Sequence, residues 1–397
     1  DGAPLIGGDN VVRSRVLELG GVKVGLFSLM VDSHVPEYVE QINTDYVGVA
    51  KAAVAELRGQ GAEVVLALTH LDARDDRKLL TELAGAAGPD MILGGHDHVL
   101  MTVEANGRLA IKGDADALRV RVVDMWVDKD GKVGWESDPS GVALGPEAPA
   151  DDPAVAKVVE ARLSEFEAKF CGEAGPGCLS KNLTVATTEL IAEELEIRRY
   201  ETNFADYIVD QMLTSFAADG AQLAFINSGA LRLNQNIAAG TKISRQLIEE
   251  TFAYPAPMQL IEIKGAVLQQ VVDHAIEDWT GSGHWLQIGG FAFRHDVEAG
   301  KASGLTLLGP DGPTPIDPKK KYKVVTTEFL LDKSIGNQDG YKMLSKKQVI
   351  KSKAAGTDLK QVVLKALEAA GEQGVGPERD GRICSSDRAS GACLAAK

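Results

Sequence analysis

The chain has 397 residues, and 44% of them are hydrophobic. Such a chain is too long for one average core and too apolar to be disordered, so we expect two domains. A formal net charge of -15 disfavours binding to nucleic acid, which would need a basic patch that the sequence lacks. No apolar run approaches the roughly eighteen residues of a membrane helix, so the sequence also predicts no membrane span.

The first part of the chain alternates between predicted strands and helices. The last two of these strands lead directly to histidines, because His70 follows the second and Gly-Gly-His-Asp-His at 94–98 follows the third. Open α/β sheets bind ligands at the carboxyl ends of their strands, so a ligand site is expected there. The predicted strands are Val22–Met30, Val64–Leu68 and Met91–Leu93, and the predicted helices are Tyr46–Arg58 and a segment around Leu79–Leu83.

The middle of the chain predicts hairpins and then a boundary. Turn signals at Asn106-Gly107 and Asp130-Gly131 separate alternating strands between Met101 and Trp135. A segment rich in Gly, Pro and Ala at 141–152 then leads into a predicted helix, Pro153–Phe170. A linker followed by a bridging helix is typical of a domain boundary.

The remainder, 184–383, predicts a mixed α/β module with an extended, disulfide-stapled tail after Ile383. Continuous apolar runs bounded by polar turns favour buried strands, and longer periodic segments favour helices. The clearest helices are Ala205–Phe216 and Gly265–Asp278, and the clearest strands are Leu223–Ile226, Gln259–Ile263 and Tyr322–Thr326.

Four cysteines form two local couples, Cys171 with Cys178 and Cys384 with Cys393. Pairing within each couple is the simplest connectivity, and it predicts two disulfides and an oxidising compartment. The alternative is a zinc site. We favour disulfides because zinc spacings are usually tighter and neither segment adds a histidine.

The histidine pattern predicts a metal centre. His96 and His98 lie one residue apart on a glycine-bent loop, so each can meet a different ion of a pair about 3.5 to 4 Å apart. His70 supplies a third imidazole from the neighbouring strand. A lone histidine is more often a satisfied surface or core residue, but three of the chain's seven at adjacent strand ends favour metal binding.

These motifs resemble the calcineurin-like metallophosphoesterases, and within them the 5'-nucleotidase family. In that resemblance His70 matches the isolated histidine ligand, His96 the first histidine of the final ligand motif, and His98 the ligand that completes the other metal. The resemblance implies an α/β (α+β overall) fold that begins with part of a metallophosphoesterase β-sandwich and its flanking helices. It also implies two divalent ions, most often zinc or manganese, that polarise a phosphate and activate a water.

The resemblance is incomplete at its upstream end. The family's Asp-x-His motif, its bridging Asp and its Asn-His pair precede the strand that matches Val22–Met30, whereas 1–21 contains no histidine. Catalytic residues are therefore expected upstream of Asp1, in a missing N-terminal fragment of the same protein. The alternative is a chain that no longer catalyses.

The second domain carries the resemblance independently. Four segments match family motifs, although Ala205-Asp206 replaces a usual Gly-Asn in the first. The segments are Arg198–Asp206 for R-x-x-E-x-N-x-G-N, Asn227–Arg232 for N-G-G-G-I-R, Gly240–Leu247 for G-x-I-T-x-x-x-L, and His284–Gly290 for F-L-Q-V-G-G.

The resemblance also implies a substrate site. Guanidinium groups suit phosphate and carboxylate, and aromatic rings stack on bases. The competing interpretation is surface ion pairs for the arginines and core packing for the rings. The implied phosphate or ribose ligands are Arg198, Asn227 and Arg232, the implied base clamp is Tyr254 and Phe329, and Asp339 belongs to 337–341, which matches G-G-D-G-[YF].

Together these features imply an exported, metal-dependent hydrolase of nucleotide phosphate esters, in the periplasm, at the cell surface or outside the cell. Its substrate would be a small nucleotide. A cyclic-nucleotide phosphodiesterase or a sulfur-compound hydrolase on the same scaffold, and a non-catalytic binding or structural protein, are the alternatives. The implied domains are a partial metallophosphoesterase domain at 1–150, a linker and bridging helix at 151–183, a 5'-nucleotidase C-terminal domain at 184–383 and a disulfide-stapled tail at 384–397.

Overall fold

The computed structural model describes residues 12–32, 43–144, 148–172, 175–277, 281–332, 339–388 and 392–396. The chain divides into two compact units, Asp1–Ala156 and Lys157–Lys397. Both units mix helices with sheets, so the α/β class predicted from the sequence is confirmed. None of the helices within the described ranges is long and apolar enough to cross a membrane.

A six-stranded sheet organises the first unit. Its strands are β1 Ser14–Leu19, β2 Val22–Met30, β3 Val64–His70, β4 Met91–Gly94, β5 Met101–Ala105 and β6 Arg108–Lys112. The order is β1-β2-β3-β4-β6-β5, with β2, β3, β4 and β6 parallel and the two edge strands antiparallel. The parallel strands therefore all end at one edge, which carries His70 and the loop after β4.

Helices cover one face of this sheet and a hairpin covers part of the other. The helices are α1 Tyr46–Gly59 and α2 Ala73–Glu82, and the smaller strands are β7 Arg119–Val120, β8 Val123–Val127, β9 Val133–Ser137 and β10 Val142–Ala143. Helix α1 begins at Asp45, whose side chain accepts a hydrogen bond from the Gly48 amide, and it buries Ala50, Val54 and Leu57 at helical spacing. Hairpin β8–β9 packs apolar side chains, among them Trp135, on the opposite face.

The predicted bridging helix is present as α3, Pro153–Cys171. It crosses the division between the two units. Its last residue forms a disulfide with Cys178, as the sequence predicts.

The second unit contains two four-stranded sheets and a two-stranded sheet. Its strands are β11 Asn182–Val185, β12 Leu223–Asn227, β13 Lys242–Ser244, β14 Met258–Lys264, β15 Leu286–Gly289, β16 Phe291–Asp296, β17 Lys301–Gly309, β18 Gly312–Pro315, β19 Lys321–Thr327 and β20 Ile383–Ser385. The helices are α4 Glu194–Ile197, α5 Asn203–Ser215, α6 Arg245–Thr251, α7 Gly265–Ala275 and α8 Leu359–Ala370. Strand order is β14-β19-β12-β15 in one sheet and β18-β17-β16-β20 in the other.

Strand β12 shows how the central sheet is buried. Every one of its residues is buried, and Leu223 and Phe225 face the core that includes α7. Ala224 and Ile226 face the opposite core, which includes α5 and α8. A strand that is covered on both faces needs a continuous apolar run, which the sequence provides.

The chain's end is partly regular. Strand β20 pairs in parallel with β16, and its Cys384 forms the predicted disulfide with Cys393. The segment expected to be an extended tail therefore begins inside a sheet.

Candidate functional site

The carboxyl edge of the first sheet brings histidines together. His70 is the last residue of β3, and the register that pairs Thr69 with Gly94 places the end of β4 beside it. The rings of His70 and His96 lie edge to face, with centroids 5.1 Å apart and planes at 70°. The strand-end juxtaposition expected from the sequence is therefore present for these two residues.

The loop after β4 holds its histidines in an unusual backbone conformation. His96 has φ 79° and His98 has φ 59°, in the left-handed region that non-glycine residues rarely adopt. Gly94, where this loop begins, has little room for a side chain, because a Cβ there would lie 2.9 Å from Thr69 Oγ1 and 3.2 Å from Asp76 Oδ2. Backbone strain of this kind persists only where surrounding contacts hold it.

A buried lysine lies beneath this loop. Lys112, the last residue of β6, has a fully buried side chain and pairs with Gly94 in the sheet register. Its ammonium group donates to the Asp97 carboxylate and to the Gly95 carbonyl at 2.8 Å, and it lies 2.9 Å from Asp76 Oδ2. The other Asp97 oxygen accepts a hydrogen bond from the Ala73 amide at 3.2 Å.

Lys112 and Asp76 are not among the residues predicted from the sequence. Lys112 ends the apolar strand segment Leu109–Lys112, where alternation alone suggests an ordinary exposed strand end. A lysine aligned with the glycine that opens a histidine loop is a signal that could have identified it, but only once the strand register is known.

Burial sets the protonation of this edge. Burial lowers the pKa of His70, and the nearby His96 and His98 lower it further. Burial raises the pKa of Asp76, although Lys112 opposes that shift. Neutral imidazole is the form that binds metal, so the environment of His70 suits a metal ligand.

The three histidines do not form one tight ligand group. Among the described residues, the ligand atoms of Glu201, Asp206 and Asp380 are the ones that all lie within 4.8 Å of one another. That acidic group already surrounds a cation, since Arg382 donates to Asp380 at 2.7 Å and lies 3.4 Å from Asp206. We therefore assign it no metal.

Two arginines of the second unit lie together. Arg198 forms an ion pair with Glu194 at 2.7 Å, and its pKa is lowered by burial first and then by the charge of Arg232. The Nε atoms of both arginines are buried, and neither has a hydrogen-bond partner within the ranges that the structure describes. Buried donors without acceptors are costly, so this pair suits an anionic ligand.

Asn227 and Asp339 are also brought together. Asn227 is the last residue of strand β12, is 3% exposed and donates to Asp339 Oδ2 at 2.8 Å. Its Oδ1 atom has no hydrogen-bond partner in the described part of the chain. Asp339 also contributes to the shift of the Arg198 pKa, which places these groups in one neighbourhood. Asn337 and Gln338, the first residues of the predicted motif, lie outside the described residues.

The two predicted ring positions differ in environment. Tyr254 is 65% exposed, and the Arg232 guanidinium lies 5.7 Å from its ring centroid. Phe329 is partly buried against the core that includes α7. Tyr254 therefore joins the arginine pair, while the expected clamp between two rings stays a prediction.

Comparison with known proteins identifies one sequence family within the second unit. Residues 183–346 match the sequence model of the family described as 5'-nucleotidase, C-terminal domain. An apyrase of Anopheles gambiae is 22% identical over 380 residues, which cover 87% of this chain and 63% of the apyrase. The chain thus spans less than two thirds of the length of that relative.

Solved structures show where the fold occurs. A 5'-nucleotidase precursor of Thermus thermophilus matches with a TM-score of 0.76 and 21% identity, over 95% of this chain and 75% of the other. A sulfate thiohydrolase of Thermus thermophilus matches with a TM-score of 0.69 and 18% identity, over 97% of this chain and 67% of the other. At these identities the likeness concerns the fold, which hosts more than one chemistry.

The motifs at Arg198, Asn227 and Arg232 all lie inside the matched range, and the strands and helices that present them have the fold of the 5'-nucleotidase precursor. The resemblance inferred from the sequence is thereby confirmed for residues 183–346, which match the model of the 5'-nucleotidase C-terminal domain.

Proposed function

We propose that the protein is an exported, metal-dependent hydrolase of nucleotide phosphate esters of the 5'-nucleotidase type. The observation that carries this proposal is the contact between His70 and His96 at the carboxyl edge of the first sheet, with His98 on the same loop. Phosphate monoesters hydrolyse extremely slowly without a catalyst, so an enzyme for them needs strong electrostatic stabilisation of the transition state.

The histidine edge suits divalent ions. Three imidazoles are a donor set that fits zinc, and the lowered pKa of His70 keeps its ring in the ligating form. We assign His70 and His96 to one ion and His98 to the other, because the rings of His70 and His96 are in contact. Bound divalent ions would polarise the phosphate and lower the pKa of a water.

The second unit would recognise the substrate. The unpartnered Nε atoms of Arg198 and Arg232 can donate to phosphate oxygens, and Asn227 Oδ1 can accept from a ribose hydroxyl. Tyr254, exposed beside Arg232, offers a ring for a base. Phe329 and Asp339 complete the proposed substrate residues.

Export is supported by the cysteines. Both disulfides join residues close in sequence, and disulfides persist mainly in oxidising compartments. We therefore place the protein in the periplasm, at the cell surface or outside the cell.

The proposal is tested with a substrate panel. Purified full-length protein would be stripped of metal, reconstituted with zinc or manganese, and assayed with AMP, a 2',3'-cyclic nucleotide and a thiosulfate ester. We expect phosphate release from AMP that disappears on chelation.

Each other outcome has a defined meaning. Turnover of the cyclic nucleotide or the thiosulfate ester without turnover of AMP would move the activity to another chemistry on the same fold. AMP binding without any turnover, measured by calorimetry with and without metal, would favour a non-catalytic nucleotide-binding protein. Either result contradicts the proposal.

A further inference from the structure

We propose that Lys112 is a positioning residue for the three histidines of the proposed metal site. It holds each histidine through a hydrogen bond to the backbone or side chain of a residue next to that histidine in the chain. This inference rests on the proposed function, because it concerns the same metal site. Lys112 itself touches no metal and no substrate in this role.

Lys112 lies in a buried group of charged side chains. The side chains of Lys112 and Asp76 are both 0% exposed, and that of Asp97 is 19% exposed. A buried ammonium is tolerated only when its protons are donated to good acceptors. Lysine has three such protons, and here they are donated to the Asp97 carboxylate and to the carbonyl oxygens of Leu71 and Gly95. Asp76 Oδ2 lies 2.9 Å from the ammonium group as an ion-pair partner.

The identity of these acceptors matters more than their number. Leu71, whose carbonyl accepts from Lys112, follows His70 in the chain. Gly95, whose carbonyl also accepts, precedes His96, and Asp97 lies between His96 and His98. One ammonium group therefore contacts a residue adjacent to every histidine of the site.

Asp97 extends this arrangement to the neighbouring helix. One of its oxygens accepts from Lys112 and the other accepts from the amide of Ala73, the first residue of α2. A carboxylate at a helix N-terminus is favoured by the helix dipole. The Asp97 side chain thus attaches the loop to β6 and to α2, and both of its oxygens are used in these contacts.

The loop needs such an anchor. His96 and His98 both have positive φ, a conformation that costs free energy and relaxes when its supporting contacts are lost. Because metal affinity depends on ligand placement, residues that orient ligands typically alter affinity by about 10- to 100-fold when replaced. Lys112 has the contacts to act in this way.

The experiment is a cobalt(II) titration of the full-length, metal-free protein, followed by visible absorption, which reports both affinity and coordination geometry. Lys112→Met removes the charge while keeping a similar length and apolar stem. We expect cobalt affinity to fall about 10- to 100-fold and the absorption band to change shape.

Arg58→Met is the matched control. Arg58 lies in the same unit and forms a partly buried ion pair with Asp90 at 2.6 Å, but it contacts none of the histidine segments. This variant controls for a general loss of stability. Because Arg58 does not contact the histidine segments, its cobalt affinity and spectrum should match those of the wild type.

Asp97→Asn is the second variant, for the case in which Lys112→Met does not fold. It keeps the shape of the side chain and removes its charge, and we expect a smaller change in cobalt affinity and spectrum in the same direction. Wild-type affinity and spectrum in a folded Lys112→Met protein, or in Asp97→Asn when the first variant does not fold, would overturn the inference alone. A wild-type protein that binds no cobalt would instead overturn the proposed function, and the inference with it.

Discussion

Two buried arginine sites of the second unit differ in how completely they are satisfied. Arg382 donates to Asp380, to Asp210 and to the Ile288 carbonyl. Burial alone would lower the pKa of Arg382, but the hydrogen bonds to Asp380 and the nearby carboxylates outweigh it and raise the pKa. Arg198, with a side chain only 13% exposed, instead has a lowered pKa and a second arginine beside it.

The difference indicates that Arg382 stabilises the fold, whereas Arg198 and Arg232 are suited to bind a ligand. A guanidinium with acceptors around its whole fork stabilises the fold and has no donor left for a ligand. Arg198 and Arg232 each keep a buried Nε without a hydrogen-bond partner in the described residues, and they repel each other. An anion bound there would remove both costs, which is why we propose this pair as part of the substrate-binding site.

The largest expected effect is on stability. Replacing Arg382 by Met leaves carboxylates without their cation and a buried carbonyl without its donor, so we expect the free energy of unfolding to fall by about 3 kcal/mol. Denaturant unfolding measures this. Lys181→Met breaks an exposed ion pair with Glu368 and should cost less than about 1 kcal/mol. If both variants lose the same free energy of unfolding, Arg382 stabilises the fold no more than an exposed ion pair does.

A smaller effect is expected on binding. Arg232→Met should weaken AMP binding by about 10- to 100-fold, the value of hydrogen bonds to a charged group, without a comparable loss of stability. Calorimetry measures the affinity. Arg245→Met is the control, because Arg245 lies 5.3 Å from the Phe170 ring much as Arg232 lies 5.7 Å from the Tyr254 ring. If the Arg232 variant binds AMP as tightly as the control does, Arg232 is not part of the AMP-binding site.

A third effect concerns the pH dependence of stability at the Arg382 cluster. Burial raises the pKa of Asp206 from its ordinary 3.8 to about 9, against the opposing charge of Arg382. The unfolded chain loses this proton near pH 4, so the stability that neutral Asp206 contributes is complete below that pH and declines as pH rises through about 9. By linkage the decline is at most about 1.4 kcal/mol per pH unit for one proton.

Asp206→Asn removes the titration while keeping the shape. Its free energy of unfolding should therefore fall less between pH 6 and pH 8 than that of the wild type. Parallel pH profiles for the two proteins in denaturant unfolding would show that Asp206 is ionised in the native state.

The sequence predicted the regular elements well because their periodicity is local. Strand Val22–Met30 and the start of α7 at Gly265 are found as expected. Boundaries shifted by a few residues where caps and pairing decide them, and β3 extends to His70 because parallel pairing with β2 continues to that residue.

What the sequence could not show depends on long-range pairing. Arg382 and Asp206 are far apart in the chain, and so are Lys112 and Leu71. Taken alone, Arg382, Asp206 and Lys112 each look like an ordinary surface charge. Their burial follows from strand register and sheet order, which composition and spacing do not encode.

The measurement that tests the central claim most directly is phosphate release from AMP by metal-free full-length protein before and after addition of zinc or manganese, in the wild type and in His96→Ala. We predict release only after metal addition and a rate at least about 100-fold lower in the variant. Equal release with and without metal, or wild-type release in His96→Ala, would contradict the account.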